Sequence, residues 1–271
     1  MRIGVVVILI AGAVYFTYQH LRPSAPNAPF PLSPSVVLKG TAVQGAILTS
    51  TDSEGRKVTL KIQDVERDPK EAEAETYLYT VVYRNSASSR WQNLCQPDRD
   101  SIAKAISLSG QWDTRGNHID NQRITFACTN SALAKCVRWG YKPWKTVQGQ
   151  SLRDYHQACT RMVRADYCGT GVAHTQNGTE IDVYDRLGIQ KPTNNSGMNF
   201  EAAWNPDGAV AISRTRFSET LAQIRSDCPE RLKPLQREHT ADNDSVTSLS
   251  LLQQYARKAL LFNNSFVNSS K

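Results

Sequence analysis

Ala158-Cys159-Thr160-Arg161-Met162-Val163-Arg164-Ala165-Asp166-Tyr167-Cys168-Gly169 joins the end of a helix, two cysteines and a glycine stop. Upstream, Ser151 to Tyr167 reads as one helix. Ser151 can cap it, because a serine oxygen accepts from an otherwise unpaired first-turn N–H. Asp154 stands at the end where the helix dipole favours negative charge. Leu152, Tyr155, Cys159, Met162 and Val163 recur on one face. On such a helix Cys159 and Cys168 lie about 13 Å apart along the axis, at ~1.5 Å per residue. A disulfide needs Cα atoms within about 7 Å. These two cysteines are therefore not expected to pair with each other unless the helix breaks, and as disulfides each would bridge to a different element.

Six cysteines are present: Cys95, Cys128, Cys136, Cys159, Cys168 and Cys228. An even count outside the cytoplasm favours disulfides. About fifteen connectivities exist for six cysteines, and spacing does not choose among them.

The compartment is read from the first residues. Met1-Arg2 is a short positive start, and Ile3 to Phe16 is uncharged and mostly apolar. The uncharged stretch continues through Thr17-Tyr18-Gln19, and charge returns at Arg22. Ala11-Gly12-Ala13 has the small residues of a cleavage site but lies inside the apolar run. Residues 1–21 are therefore read as a signal anchor or transmembrane segment, with a cleaved signal peptide as the alternative. Both readings put the remainder outside the cytoplasm. Residues 22–35 carry five prolines and read as a linker.

Residues 36–90 are expected to form an antiparallel β region. Val58-Thr59-Leu60-Lys61-Ile62 alternates, and Tyr77 to Tyr83 is rich in aromatic and β-branched residues. Asp52-Ser53-Glu54-Gly55 suits a turn, and Asp68 to Glu75 a charged loop. Residues 91–234 hold the cysteines. There Ile124 to Cys128 reads as a strand, and Ser131 to Trp139 as a short helix stopped by Gly140. Asn177-Gly178 signals a hairpin between Val172–His174 and Ile181–Val183. Thr220 to Ile224 reads as helical. Residues 235–271 read as a polar linker and a C-terminal helix, with Leu252, Tyr255, Ala259 and Phe262 on one stripe. The expected fold class is α+β: a small antiparallel β region followed by a disulfide-stapled mixed domain.

The chain resembles the bacterial ADYC-domain family, named for the residues found here as Ala165-Asp166-Tyr167-Cys168. The resemblance runs from about Trp91 to Leu232, with a weaker echo from Val36 to Tyr83. It is carried by Leu108 to Asp113, Lys135 to Trp144, Cys159 to Gly169, and Phe200 to Trp204 followed by Pro206 to Ala209. It implies an extracytoplasmic domain and brings no established catalytic residues. Some relatives carry a cysteine where this chain has Ala211, which implies a family cysteine left free here.

Three chemistries compete for the histidines and cysteines. Structural disulfides are the first. A tetrahedral zinc site from His156, Cys159, Cys168 and His174 is the second, but its spacing is irregular for such a site. The third is acyl transfer by Cys168, with His156 or His174 as base and Asp166 or Asp182 as orienter. Cys168, however, sits at the helix C-terminus, where the dipole does not favour a thiolate. No metal or cofactor is expected.

A charge pattern suggests a ligand surface. Arg84 to Lys145 contains ten Lys/Arg against four Asp, whereas residues 51–75 contain eight acids against five bases. The basic stretch holds four of the five tryptophans. Trp112, Arg138, Trp139, Tyr141, Lys142 and Trp144 are candidates for binding an anionic polymer of the cell envelope, with Arg161 and Arg164 as a carboxylate or phosphate clamp. The competing readings are a tryptophan-filled core, and arginines paired with Asp154, Asp166 or Asp185 on a solvated face. Nucleic acid is not expected outside the cytoplasm. The sequence thus reads as a membrane-tethered extracytoplasmic module of the bacterial envelope that binds or supports structure. The alternative is an envelope hydrolase or transferase with a Cys/His site.

Overall fold

A computed structural model of the chain describes residues 9–10, 13–17, 40–51, 56–71, 73–85, 90–193, 197–232 and 258–266. The fold is α+β, divided into two compact units: residues 1–111 with 119–134, and residues 112–118 with 135–271.

The first unit is built on one sheet. Its strands are β1 (Leu9–Ile10), β2 (Ala13–Thr17), β3 (Ile47–Thr51), β4 (Lys57–Arg67), β5 (Tyr77–Asn85), β6 (Gln92–Asn93), β7 (Ala105–Trp112) and β8 (His118–Cys128). They lie in the order β1-β2-β8-β7-β5-β4-β3, with β6 against β5. In β4, alternation sends Val58, Leu60 and Ile62 inward. A register shift between Ile62 and Asp64 inserts one residue and resets the phase, so Val65 also points inward. Tyr79 meets Phe126 edge-on in this core, and Cys95 is bonded to Cys128. The β region read at 36–90 is thus continued by β7 and β8. The expected turn Asp52–Gly55 lies outside the described residues, and the pairing Thr51↔Lys57 frames it.

Two short pieces of the apolar N-terminal run are extended rather than helical. Ala13–Thr17 pairs antiparallel with Arg123–Ala127 of β8. Val14, Tyr15 and Phe16 suit a strand as well as a membrane span, and β8 offers a row of backbone partners. Among the described residues no helix is long and apolar enough to cross a membrane.

The second unit is a four-stranded antiparallel sheet carrying a helix. Its strands are β9 (Thr146–Val147) and β10 (Gln150–Ser151), which form a small hairpin, then β11 (Ile181–Asp185), β12 (Asn199–Asn205), β13 (Gly208–Ile212) and β14 (Leu261–Ser265). The sheet order is β11-β14-β12-β13. The helices are α1 (Ala132–Arg138), which begins in the first unit, α2 (Leu152–Arg164) and α3 (Thr220–Asp227). Leu152, Tyr155, Cys159 and Met162 of α2 join Ala202, Trp204 and Leu261 in one core. Tyr184, Phe200, Ala203 and Phe262 form a separate cluster, with Tyr184 stacked on Phe262 at 5.6 Å.

Two expectations are corrected here. The end of the tail is not helical: Leu261–Ser265 is a strand between β11 and β12, and Leu252 and Tyr255 lie outside the described residues. Paired on both sides, β14 satisfies two ladders at once, which outweighs a local helical period. Its Asn263 accepts a 2.8 Å bond from the Trp204 indole N–H. Asn177-Gly178 does form a turn, with Gly178 at φ +89°, but no hairpin forms there. The His174 N–H instead donates to the Arg164 carbonyl, and Ile181–Asp185 pairs with β14.

Candidate functional site

The four residues Ala165 to Cys168 follow directly on α2. The helix opens as expected, with the Ser151 oxygen accepting from the Arg153 N–H and Asp154 in the first turn. It closes in a left-handed turn at Ala165, with φ +50°. There Ala165 N–H donates to Met162 O and Asp166 N–H to Arg161 O. That pair of bonds satisfies carbonyls a helix end would otherwise leave open. Left-handed backbone costs a non-glycine residue about 1–2 kcal/mol, so surrounding contacts must hold it.

Those contacts come from buried charges. Arg161 and Asp166, each 1% exposed, form an ion pair. Arg161 also donates from Nε to Pro206 O, and from its other nitrogens to Arg115 O and Asn117 Oδ1. Asp166 Oδ2 additionally accepts from the Gly171 N–H at 3.0 Å. One arginine thus joins the 112–118 turn, the end of β12 and the loop after α2. The 112–118 turn is braced by Asp113, which accepts from Asn117 through both backbone and side chain. Burial raises the Asp113 carboxyl, but the Asn117 bonds, the Arg115 backbone and the Arg161 charge together hold it below its ordinary value.

Tyr167 donates its hydroxyl to Glu201 Oε1 at 3.0 Å and accepts from the Arg216 N–H at 3.1 Å. Arg216 grips Glu201 through Nε and Nη2, a two-pronged geometry that fits guanidinium to carboxylate. It also donates to Met162 O, at the helix end where a cation is favoured. Burial opposes the Arg216 charge, and Glu201 and Tyr167 together more than offset this, so its pKa is raised. The Tyr167 phenol is pushed well above its usual value by burial and the Glu201 charge. Arg231 Nη1 then donates to the carbonyls of Tyr167, Asp207 and Ala209. Cys168 completes the set by bonding Cys228, just after α3.

Gly169 and Gly171 are needed for this closure. Both have positive φ, and a Cβ on Gly169 would lie 1.9 Å from Asp207 O. On Gly171 it would meet the backbone of Thr114 and Arg115.

All six cysteines are paired, as Cys95–Cys128, Cys136–Cys159 and Cys168–Cys228. Cys159 and Cys168 bond to different elements, as their spacing requires. No family cysteine is left free, because Cys168 and Cys228 take each other; Ala211 is simply buried beside Phe262. The zinc set loses both thiolates, and the acyl-transfer set loses its nucleophile.

The remaining candidates sit as follows. His156 is buried, with its ring 5.8 Å from that of Trp112. His174 is buried beside Tyr167, near enough to Asp166 to feel its charge. Asp182 accepts from Thr193 and Asn264. Trp112 is buried and donates to Gln157 Oε1 at 3.0 Å. Tyr141 is buried and bonds Asp185, Lys142 is buried, and Arg138 and Trp139 are half-buried. Arg164 donates to Gly171 O. Arg161 pairs with Asp166, but inside the molecule rather than on a solvated face. Trp144 alone of these candidates stays exposed, at 49%.

Glu201, Arg216 and Arg231 escape sequence reasoning. One signal existed: Glu201 is a lone acid in the apolar run Phe200 to Trp204, and a charge in such a run needs a buried partner.

The family model described as the ADYC domain matches residues 40–218 of the 271. No curated protein and no solved structure matches the chain. Cys228 and β14 therefore lie beyond the matched segment, although the first closes the signature and the second completes its sheet.

Proposed function

The chain belongs to the ADYC-domain family, and from that footing we propose that it is an exported binding module of the bacterial cell envelope, with the four-residue signature as its structural clasp. The observation that carries this reading is the use of every signature residue. Ala165 makes the turn, Asp166 pairs with Arg161, Tyr167 joins Glu201 to Arg216, and Cys168 bonds Cys228. Three disulfides suit an oxidising compartment outside the cytoplasm. The hydrolase or transferase alternative needs a free thiolate, and Cys168 is not one.

Membrane tethering through residues 3–19 belongs to the same proposal. It draws on the uncharged run and on the proline-rich segment that follows. Ala13–Thr17 cannot occupy a bilayer and the edge of β8 at once. Fractionation of cells expressing the full chain, followed by N-terminal sequencing and thiol alkylation, tests the proposal. We expect an extracytoplasmic, membrane-bound chain with an intact N-terminus and no alkylatable thiol. A soluble exported chain starting near Val14 would overturn the tether alone. Cytoplasmic chain with reactive thiols would overturn the whole reading.

A further inference from the structure

We propose that Asn177 is a site of spontaneous covalent modification, at which the chain converts its own side-chain amide to a carboxylate. The inference goes beyond the reading of the chain as an exported module and does not depend on it. Asn177-Gly178 is the only Asn-Gly pair in the sequence. It forms the tip of the loop between α2 and β11, where Gln176, Asn177 and Gly178 are all exposed. The base of this loop is held. His174 N–H donates to Arg164 O at 3.0 Å, Thr175 Oγ1 accepts from Arg216 Nη1 at 3.2 Å, and Ile181 pairs with Ser265. Between these anchors the tip is closed by Thr179 N–H donating to Gln176 O at 3.2 Å.

In this turn Gly178 takes φ +89° and Asn177 does not take a positive φ, as in a type II turn. Among the described residues no hydrogen bond engages the Asn177 carboxamide or the Gly178 N–H. A Cβ built on Gly178 would meet nothing within 4 Å, so the backbone there is unshielded. A carboxamide and a following backbone nitrogen, both unengaged, can close a succinimide ring. The Gly178 nitrogen attacks Asn177 Cγ, the N–Cγ bond forms, and the Cγ–Nδ2 bond breaks. Ammonia leaves with the proton from the Gly178 N–H. Water then opens the ring at either carbonyl. Opening at Cγ gives aspartate, and opening at the main-chain carbonyl gives isoaspartate. Glycine favours the attack because it puts no side chain beside the nitrogen. Either product lowers the formal net charge of +7 by one.

Comparable pairs elsewhere are closed to this chemistry. Asp207-Gly208 is the only Asp-Gly pair in the sequence. Gly208 is buried, and a Cβ on it would lie 2.8 Å from Gly169 N and 2.9 Å from Tyr167 O. Asp207 is held on both sides, its N–H donating to Asn205 Oδ1 and its carbonyl accepting from Arg231. Asn130 is exposed and precedes a small residue, but the Ser131 N–H donates to Cys128 O at 2.7 Å. A nitrogen that already donates must give up that bond before it can attack. Asn264-Ser265 lies within β14, and Asn264 Oδ1 accepts from the Tyr184 hydroxyl.

Incubating the folded full-length protein at mildly alkaline pH, well below its Tm and in water enriched in heavy oxygen, tests this. Ion exchange reads the acidic product, and peptide mapping by mass spectrometry locates it. We expect the peptide holding Asn177 to lose its amide, take up one heavy oxygen and contain isoaspartate beside aspartate. Loss at Asn177 should outrun loss at Asn130 by at least roughly fivefold, the factor that one net hydrogen bond represents. Gly178→Ala should suppress the product, because a side chain then crowds the nitrogen. Alanine is strained at positive φ, so Asn177→Gln, whose longer side chain closes a larger ring, carries the same expectation in an unaltered turn. The proposal is overturned if Asn177 keeps its amide in the folded protein, if Asn130 reacts as fast, if aspartate forms without isoaspartate, or if the product at this turn still forms in both variants.

Discussion

Asp166 places both of its accepted bonds on Oδ2, one from Arg161 and one from the Gly171 N–H. Replacing it by alanine would strip a buried guanidinium of its counter-charge. Breaking one side of a buried ion pair typically costs about 3–5 kcal/mol. We therefore predict that Asp166→Ala lowers stability by that order in urea unfolding, whereas a role at a solvated surface would predict well under 1 kcal/mol. A second prediction concerns pH. Burial lowers the pKa of His174, and Asp166 and Asp227 oppose the shift without cancelling it. The folded chain therefore takes up this proton less readily than the unfolded chain. Stability from this group is complete above about pH 6.5 and is lost as pH falls from there through the folded pKa. Tm measured between about pH 7.5 and pH 5 should fall in wild type, and His174→Gln should remove part of that fall. Parallel curves would exclude His174 as a source. At this scale the Ser151 cap was legible, because capping is local. The Tyr167–Glu201–Arg216 cluster was not, because Glu201 lies 34 residues and Arg216 49 residues from Tyr167.

Among the elements, α2 was the most legible. Its cap, its buried stripe and its end all follow from short-range chemistry, and the structure starts it at Leu152 and stops it at Arg164. What the sequence concealed is that α2 is buried from Tyr155 to Met162, including Arg161. An arginine reads as exposed until its partners are known, and these come from the 112–118 turn and the end of β12. The C-terminal strand was harder still. Leu261-Phe262-Asn263-Asn264-Ser265 is too short and polar to declare itself a central strand, and its role exists only between β11 and β12. Deleting residues 258–271 should therefore expose two ladders and the Trp204 indole N–H. We predict loss of cooperative unfolding, read by near-ultraviolet circular dichroism across a thermal melt. A truncated chain that melts as cooperatively as the full one would contradict the placement of β14.

For the whole molecule, the α+β class and the disulfide-stapled character were visible from alternation, helix signals and an even cysteine count. The pairing was not, since the Cys168–Cys228 bond spans 60 residues. Closing a loop of that length removes unfolded-chain entropy worth about 4 kcal/mol in the simplest treatment. The central claim is that the signature closes the fold through this bond and is not a thiol centre. Peptide mapping of unreduced, exported protein under alkylating conditions tests it most directly. The account predicts linked peptides for Cys95–Cys128, Cys136–Cys159 and Cys168–Cys228, with no alkylated cysteine. An alkylated Cys168 in folded protein, or a Cys159–Cys168 peptide, would contradict it.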